Sequence, residues 1–193
     1  MRKRLIEYNL PLADISEASA REKNICHGHS STLHIWWARR SLASSRATAF
    51  AALTDDPGPD HPKEREELLE LIKKITPWEA VKDGNSEDIE RARELIPKQY
   101  GRPPRVLDPF AGGGSISLEA LRLGCETYAG DYNSVAVFIG KATLCGKKAK
   151  RPRSPNCSVR PAMARAGLSG SSARPSPSAC STAARRSNCW RGC

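Results

Sequence analysis

The chain has 193 residues, 31 of them basic and 21 acidic, for a net charge of +10. No stretch is long and apolar enough to span a membrane. No secretory signal follows the basic start, because Glu7 and Asn9 interrupt the apolar run after Met1-Arg2-Lys3-Arg4, so a reducing cytoplasm is the default compartment. The overall charge suggests nucleic acid, but it is unevenly spread. From Cys145 to the end there are 11 Lys or Arg and no Asp or Glu, so the first 144 residues hold 20 basic and 21 acidic residues.

Residues 1–100 read as mostly helical. Asp14 is placed to cap a helix over 16–22. Cys26, His27, His29 and His34 lie too close together and lack a second ligand pair, so a polar capping loop is favoured there over a metal site. Residues 33–53 are rich in Ala and free of Gly and Pro, which predicts one long helix. Leu33, Trp36, Trp37, Phe50 and Leu53 are its large apolar anchors. Adjacent helical positions face about 100° apart, so one of the two Trp residues turns to the core. Trp37, with Arg39 and Arg40, is the candidate contact for a nucleic acid strand, stacking and neutralising it.

Asp55-Asp56-Pro57-Gly58-Pro59 breaks the helix. Residues 64–75 form an amphipathic helix with Leu68, Leu71, Ile72 and Ile75 inward. Asn85 or Ser86 caps the next, with Ile89, Ala92, Leu95 and Ile96 facing in and Pro97 ending it. A stiff Tyr100-Gly101-Arg102-Pro103-Pro104 linker follows.

The most telling stretch is Val106-Leu107-Asp108-Pro109-Phe110-Ala111-Gly112-Gly113-Gly114-Ser115. Two apolar residues suit a short buried strand, and Pro109 stops it at Asp108. The glycines permit positive φ and let a ligand approach bare backbone. Ser115 is placed to cap a helix over 116–123, with Gly124 at its C′ position. A second strand over 126–129 ends at Gly130-Asp131. Strand, glycine turn, helix, strand and acid form the first βαβ unit of a doubly wound sheet, whose ligands sit beyond the carboxyl strand ends. Asp131 lies 17 residues past Gly114, near the roughly 20-residue offset of a ribose-binding carboxylate. The G-x-G-x-x-G spacing and the Gly-Lys-Ser/Thr ending are both missing, which disfavours NAD proteins and P-loops.

Asp108-Pro109-Phe110-Ala111-Gly112-Gly113-Gly114-Ser115 resembles the first motif of S-adenosylmethionine-dependent methyltransferases, in the variant of enzymes that methylate exocyclic amino groups of DNA or RNA. Arg4-Leu5-Ile6-Glu7, Ala20-Arg21-Glu22-Lys23 and Ser31-Thr32-Leu33-His34-Ile35-Trp36-Trp37-Ala38-Arg39-Arg40 look like the domain of unknown function that opens a family of large prokaryotic adenine-specific DNA methylases. Ser115-Ile116, Glu119-Ala120-Leu121, Leu123-Gly124 and Asp131-Tyr132-Asn133 continue the likeness, which covers roughly residues 4–144. Ser41, Ser117 and Ser134 stand where that family usually has proline.

The resemblance implies an α/β fold: a helical N-terminal domain (1–100), then the start of a Rossmann-like methyltransferase sheet (101–144). It implies S-adenosylmethionine as cofactor and DNA as partner; the Cys and His spacing above gives no metal site. The implied cofactor-binding set is Asp108, Pro109, Phe110, Ala111, Gly112, Gly113, Gly114, Asp131 and Tyr132. Asp108 and the glycine backbone lie near the methionine part, Asp131 binds the ribose, and Tyr132 packs on adenine. The family's Asn/Asp-Pro-Pro-Tyr/Phe catalytic loop does not occur: Arg102-Pro103-Pro104-Arg105 lacks both flanking residues, so no catalytic residue is assigned. Only two strands are recognisable, which leaves a sheet face and an edge uncovered. The expected behaviour is that of a truncated, poorly stable and inactive form.

Residues 145–193 are expected to be a disordered basic tail, since a segment with a single Leu and no Ile, Phe or Tyr cannot offset its ordering entropy by burial. Two origins fit: a natural polyanion-binding tail, or out-of-frame translation after about Leu144, which the abrupt switch favours. An RNA methyltransferase relative and a non-enzymatic nucleic-acid binder acting through the tail are the alternative functions.

Overall fold

A computed structural model of the chain describes residues 3–25, 34–82 and 86–144, with the backbone of 157–161. The chain divides into two units, Met1–Met163 and Ala164–Cys193, and every described residue lies in the first. A 3-10 turn at Leu5–Glu7 precedes α1 (Leu12–Lys23), α2 (Leu42–Leu53), α3 (Pro62–Ile75), α4 (Glu79–Lys82) and α5 (Glu87–Tyr100). Then come β1 (Arg105–Asp108), α6 (Ser115–Arg122), β2 (Glu126–Asp131), α7 (Ser134–Leu144) and β3 (Cys157–Pro161).

The centre is α2. Its Ala and Ser side chains let α1, α3 and α6 approach from several sides, and a helix buried on most of its surface is apolar or small all round. Leu42, Ala43, Ala47, Phe50 and Ala51 are buried there. Leu71, Ile72 and Ile75 of α3 and Ile89, Ala92 and Ile96 of α5 pack into the same core, while Leu68 and Leu95 are partly buried beside it. That core also takes in Ala120 and Leu123 at the α6 end and Cys125. Residues on both sides of the expected boundary at residue 100 therefore share one core. Burial pushes the Cys125 thiol up to about 12. Among the described residues no helix is long and apolar enough to cross a membrane.

Several helix ends differ from expectation. Asp14 does not cap α1, which starts two residues earlier at Leu12, and Asp14 lies within its first turn. The long helix over 33–53 begins only at Leu42. Its free N–H groups are satisfied there: the Ala43 amide donates to the buried Glu22 carboxylate at 3.0 Å and the Ser44 amide to the Ser41 hydroxyl at 3.1 Å. Ser86, not Asn85, caps α5, accepting from the Ile89 amide at 3.3 Å. Pro97 does not end α5, which runs on to Tyr100 and stops at Gly101 with φ 68°. Tyr100 packs against the core and carries the Arg4 guanidinium 5.3 Å above its ring, so packing outweighs the one helical bond that proline removes. Ser41, Ser117 and Ser134 all fall at helix starts: the cap of α2, the first turn of α6 and the first residue of α7. These are positions where proline also fits.

The sheet is parallel throughout, in the order β1-β2-β3. Arg105 pairs with Glu126 and Asp108 with Ala129, while Thr127 pairs with Cys157 and Asp131 with Pro161. A third strand, β3, pairs with β2 through its backbone inside the segment expected to be a tail. The rest of 145–193 lies outside the described residues. Both α6 and α7 pack on β2, where Thr127 and Ala129 are buried. On the opposite face, β1 and β2 carry exposed side chains. Leu107, expected to be buried, is 70% exposed, and its cross-strand neighbour Tyr128 is 39% exposed.

One ion pair ties α2 to α6. Arg46 and Glu119 are 1% and 0% exposed, with Nε to Oε2 at 2.6 Å. The same guanidinium donates to the carbonyls of Ile75 (2.6 Å), Thr76 (3.2 Å) and Pro77 (3.2 Å), which include the free carbonyl end of α3. Arg122 bonds the other Glu119 oxygen. Three helices thus meet at one planar cation.

Arg46→Met is expected to cost about 3–5 kcal/mol in urea unfolding, because Glu119 keeps its buried charge without its main partner. Arg46→Met combined with Glu119→Leu should be distinctly less destabilised than Arg46→Met alone. A second expectation concerns acid. The Arg65 guanidinium, bonded twice to Asp56 at 2.8 Å, holds that carboxyl below its usual range. A lowered acid contributes its full stability above the ordinary carboxylate value of about 4 and loses it as pH falls through the folded value. The stability gap between wild type and Arg65→Met should therefore close on acidification, as read by thermal melts from pH 7 to pH 2.

Candidate functional site at the strand ends

The carboxyl ends of β1 and β2 are joined by the glycine turn. The Ala111 amide donates to the Gly130 carbonyl at 2.9 Å, and the Gly114 amide to the Ala111 carbonyl at 2.7 Å. Gly112 and Gly114 have φ of 51° and 75°, where an L side chain is strained. Gly114 itself is the residue that caps α6. Ser115 was expected in that role. It is instead the first helical residue, and its hydroxyl donates to the Arg40 carbonyl at 2.9 Å.

Helix α6 ends as expected. Gly124 takes φ 84°, its amide reaches the Leu121 carbonyl at 3.1 Å, and the Cys125 amide reaches Ala120 at 3.0 Å. This paired closure is the Schellman arrangement.

Asp131 faces the turn. One carboxylate oxygen accepts from the Gly112 amide and the other from the Asn133 amide, both at 2.8 Å. The acid therefore shapes the turn and holds acceptor capacity at the strand ends. Asp108 sits nearby, with the Ser117 hydroxyl 3.5 Å from Oδ2. Burial pushes the Asp108 carboxyl up; the Phe110 amide and the Ser117 hydroxyl partly offset this, and the Asp131 charge adds to the rise. Two carboxylates thus share the end of the sheet, a setting that favours a cationic ligand group.

Phe110 and Tyr132 flank the turn, 81% and 80% exposed. The other side is filled. The Trp36 indole lies against Gly112 and Gly113, and only a cavity of about 20 Å³ remains between Gly113, Ser115, Leu118, Ile139 and the 34–42 segment. Among the described residues, the Phe110 and Tyr132 side of the turn is the exposed one. A groove of about 350 Å³ lies elsewhere, lined mostly by charged residues of α3 and α5.

Trp37, Arg39 and Arg40 are not helical. They lie in a loop held by a bond from the Arg39 amide to the Trp36 carbonyl at 3.1 Å. Trp36 is buried and Trp37 is 80% exposed, the two rings stacked with centroids 4.1 Å apart. Arg40 is exposed and Arg39 half-buried. Cys26, His27 and His29 lie outside the described residues. Sequence reasoning missed Trp36 as a neighbour of the turn and Ser117 as a neighbour of Asp108, since neither contact leaves a local pattern.

Residues 9–76 match a family model described as a protein of unknown function, DUF1156. The matched span contains α1, α2 and α3 and therefore carries Trp36, Ser41 and Arg46. No curated protein matches the chain, and no solved structure does.

Gly114→Ala tests the turn's conformation in isolation. A Cβ there meets only Thr143 Oγ1 at 3.8 Å, so the cost is one of backbone geometry. A loss of about 1–2 kcal/mol is expected in urea unfolding, and Gly114→Asn should lose less, because Asn tolerates the left-handed region better.

Proposed function

We propose that this chain binds S-adenosylmethionine at the carboxyl ends of β1 and β2, as the cofactor-binding part of a DNA adenine methyltransferase. The observation that carries the reading is the bond from the Gly112 amide to Asp131, at 2.8 Å. It joins the glycine turn after one parallel strand to the acid after the next, where a nucleoside would rest its ribose. Parallel strands in the order β1-β2-β3, with α6 and α7 as crossovers, support reading the sheet as the first half of a Rossmann-like one.

In this reading the Asp131 carboxylate takes the ribose hydroxyls and Tyr132 covers the adenine. Asp108 and the bare backbone of Gly112–Gly114 accommodate the cationic methionine end, beside Pro109, Phe110 and Ala111. Trp37 and Arg40 are the exposed groups suited to a nucleic acid strand. The sequence holds no Asn/Asp-Pro-Pro-Tyr/Phe loop, so the reading assigns cofactor binding to these residues and no methyl transfer.

Calorimetry with S-adenosylmethionine tests this. The wild-type chain should bind saturably, and Asp131→Asn and Asp108→Asn should each weaken binding about ten-fold or more, a loss of about 1.4 kcal/mol or more. Burial disfavours the charged form of Asp108, so Asp108→Asn should melt at the same or a higher temperature while binding worse. Affinity should also fall as pH drops through the raised Asp108 value, because the charged acid is the binding form. Equal affinity in all three proteins, or none in wild type, would sink the assignment.

A further inference from the structure

Trp36 touches the glycine turn and the helix that follows Asp131. A Cβ built on Gly112 would lie 2.7 Å from Trp36 Nε1 and 3.2 Å from Cδ1, and one on Gly113 would lie 3.1 Å from Trp36 Cβ. The indole occupies the space that side chains in the turn would need. On its other flank the ring packs with Ala136 and Ile139 of α7, the helix that follows Asp131. Four residues on, the Arg40 carbonyl accepts from Ser115 at the start of α6. The 36–40 segment is thus attached to the turn, to the helix after it and to the helix after Asp131. It belongs to the matched 9–76 span, not to the βαβ unit.

We propose that Trp36 is a positioning residue for the glycine turn, through which the N-terminal helical region sets whether Gly112–Gly114 can hold a ligand. The proposal rests on the cofactor reading above. Its physical content is steric. Two adjacent glycines have backbone freedom that a bound ligand would have to freeze. A buried indole against both of them removes that freedom beforehand, and preorganisation of this kind raises affinity by lowering the ordering cost of binding. Trp36 touches no ligand. It acts through the turn and through the position of α7. The stacked, exposed Trp37 covers its outer face and gives the segment a second aromatic layer.

A double-mutant cycle on the full chain measures the contact. Gly112→Ala should shift the unfolding equilibrium in the wild-type background at least about five-fold more than in the Trp36→Ala background. The strain from positive φ is present in both backgrounds and cancels. Equal shifts would overturn the proposal. Where Trp36→Ala does not fold, Trp36→Leu, which keeps most of the packing, replaces it.

A spectroscopic arm separates positioning from simple packing. Titration with S-adenosylmethionine should change tryptophan fluorescence in wild type and in Trp78→Phe, and the change should be clearly smaller in Trp36→Phe, where the stacked Trp37 remains. Affinity for S-adenosylmethionine should drop about ten-fold in Trp36→Ala even at temperatures where that variant is fully folded. Undiminished affinity in folded Trp36→Ala would overturn the proposal. Steric coupling in the cycle without any binding by wild type would overturn the cofactor reading, while supporting Trp36 as the residue that positions the turn.

Discussion

The buried Arg46–Glu119 pair is the constraint on which the rest of the structure depends. Two opposite charges out of water are tolerable only when nearly every donor and acceptor is used. Here Nε meets a carboxylate from α6, Nη1 meets three carbonyls around the end of α3, and Arg122 supports the carboxylate from its other side. The arrangement works in only one relative placement of α2, α3 and α6. An apolar contact would tolerate sliding of these helices, whereas a planar cation with fixed donor directions does not. Because α6 is also the helix that opens at Gly114, the pair carries positional information from the helical region to the glycine turn.

Asp131 and Trp36 then act on that turn from opposite sides. The carboxylate takes the Gly112 amide, and the indole closes off the space beyond Gly112 and Gly113. Glycine at these positions is usually explained by a ligand that needs bare backbone. In this chain a protein side chain makes the same demand from the far side. The turn is squeezed between a polar anchor and an apolar wall, and among the described residues the side bearing Phe110 and Tyr132 is exposed.

What could be read from the sequence followed local pattern. The spacing of Leu71, Ile72 and Ile75, the capping Ser86, the stop after Asp108 and the C′ glycine at 124 all depend on neighbours within a few residues, and all stand in the structure. Long-range choices were not legible. Nothing between residues 33 and 41 says that Trp36 will leave a helix-compatible stretch to meet a turn some 75 residues away. Arg46 and Glu119 are 73 positions apart, and each alone reads as an ordinary surface charge. Strand β3 was hidden because parallel pairing uses backbone groups, and a segment whose only aliphatic residue is Val159 has no periodic apolar signal. At the site, the spacing of Asp131 was visible, but its two amide partners were not.

The open face of the sheet has a practical consequence. Strand β1 pairs only with β2 among the described residues, and Leu107 stands exposed on it beside Tyr128. An unpaired edge carrying apolar side chains is a template for other strands. Arg105, paired with Glu126 of β2, and Asp108 are the polar residues at the two ends of this strand. Handling of the purified chain will therefore depend on concentration: dilute samples favour the single molecule, and crowded ones favour strand-to-strand association through β1. Lysine at position 107 would be the simplest way to keep solutions clear without touching the turn, the acids or the buried cation.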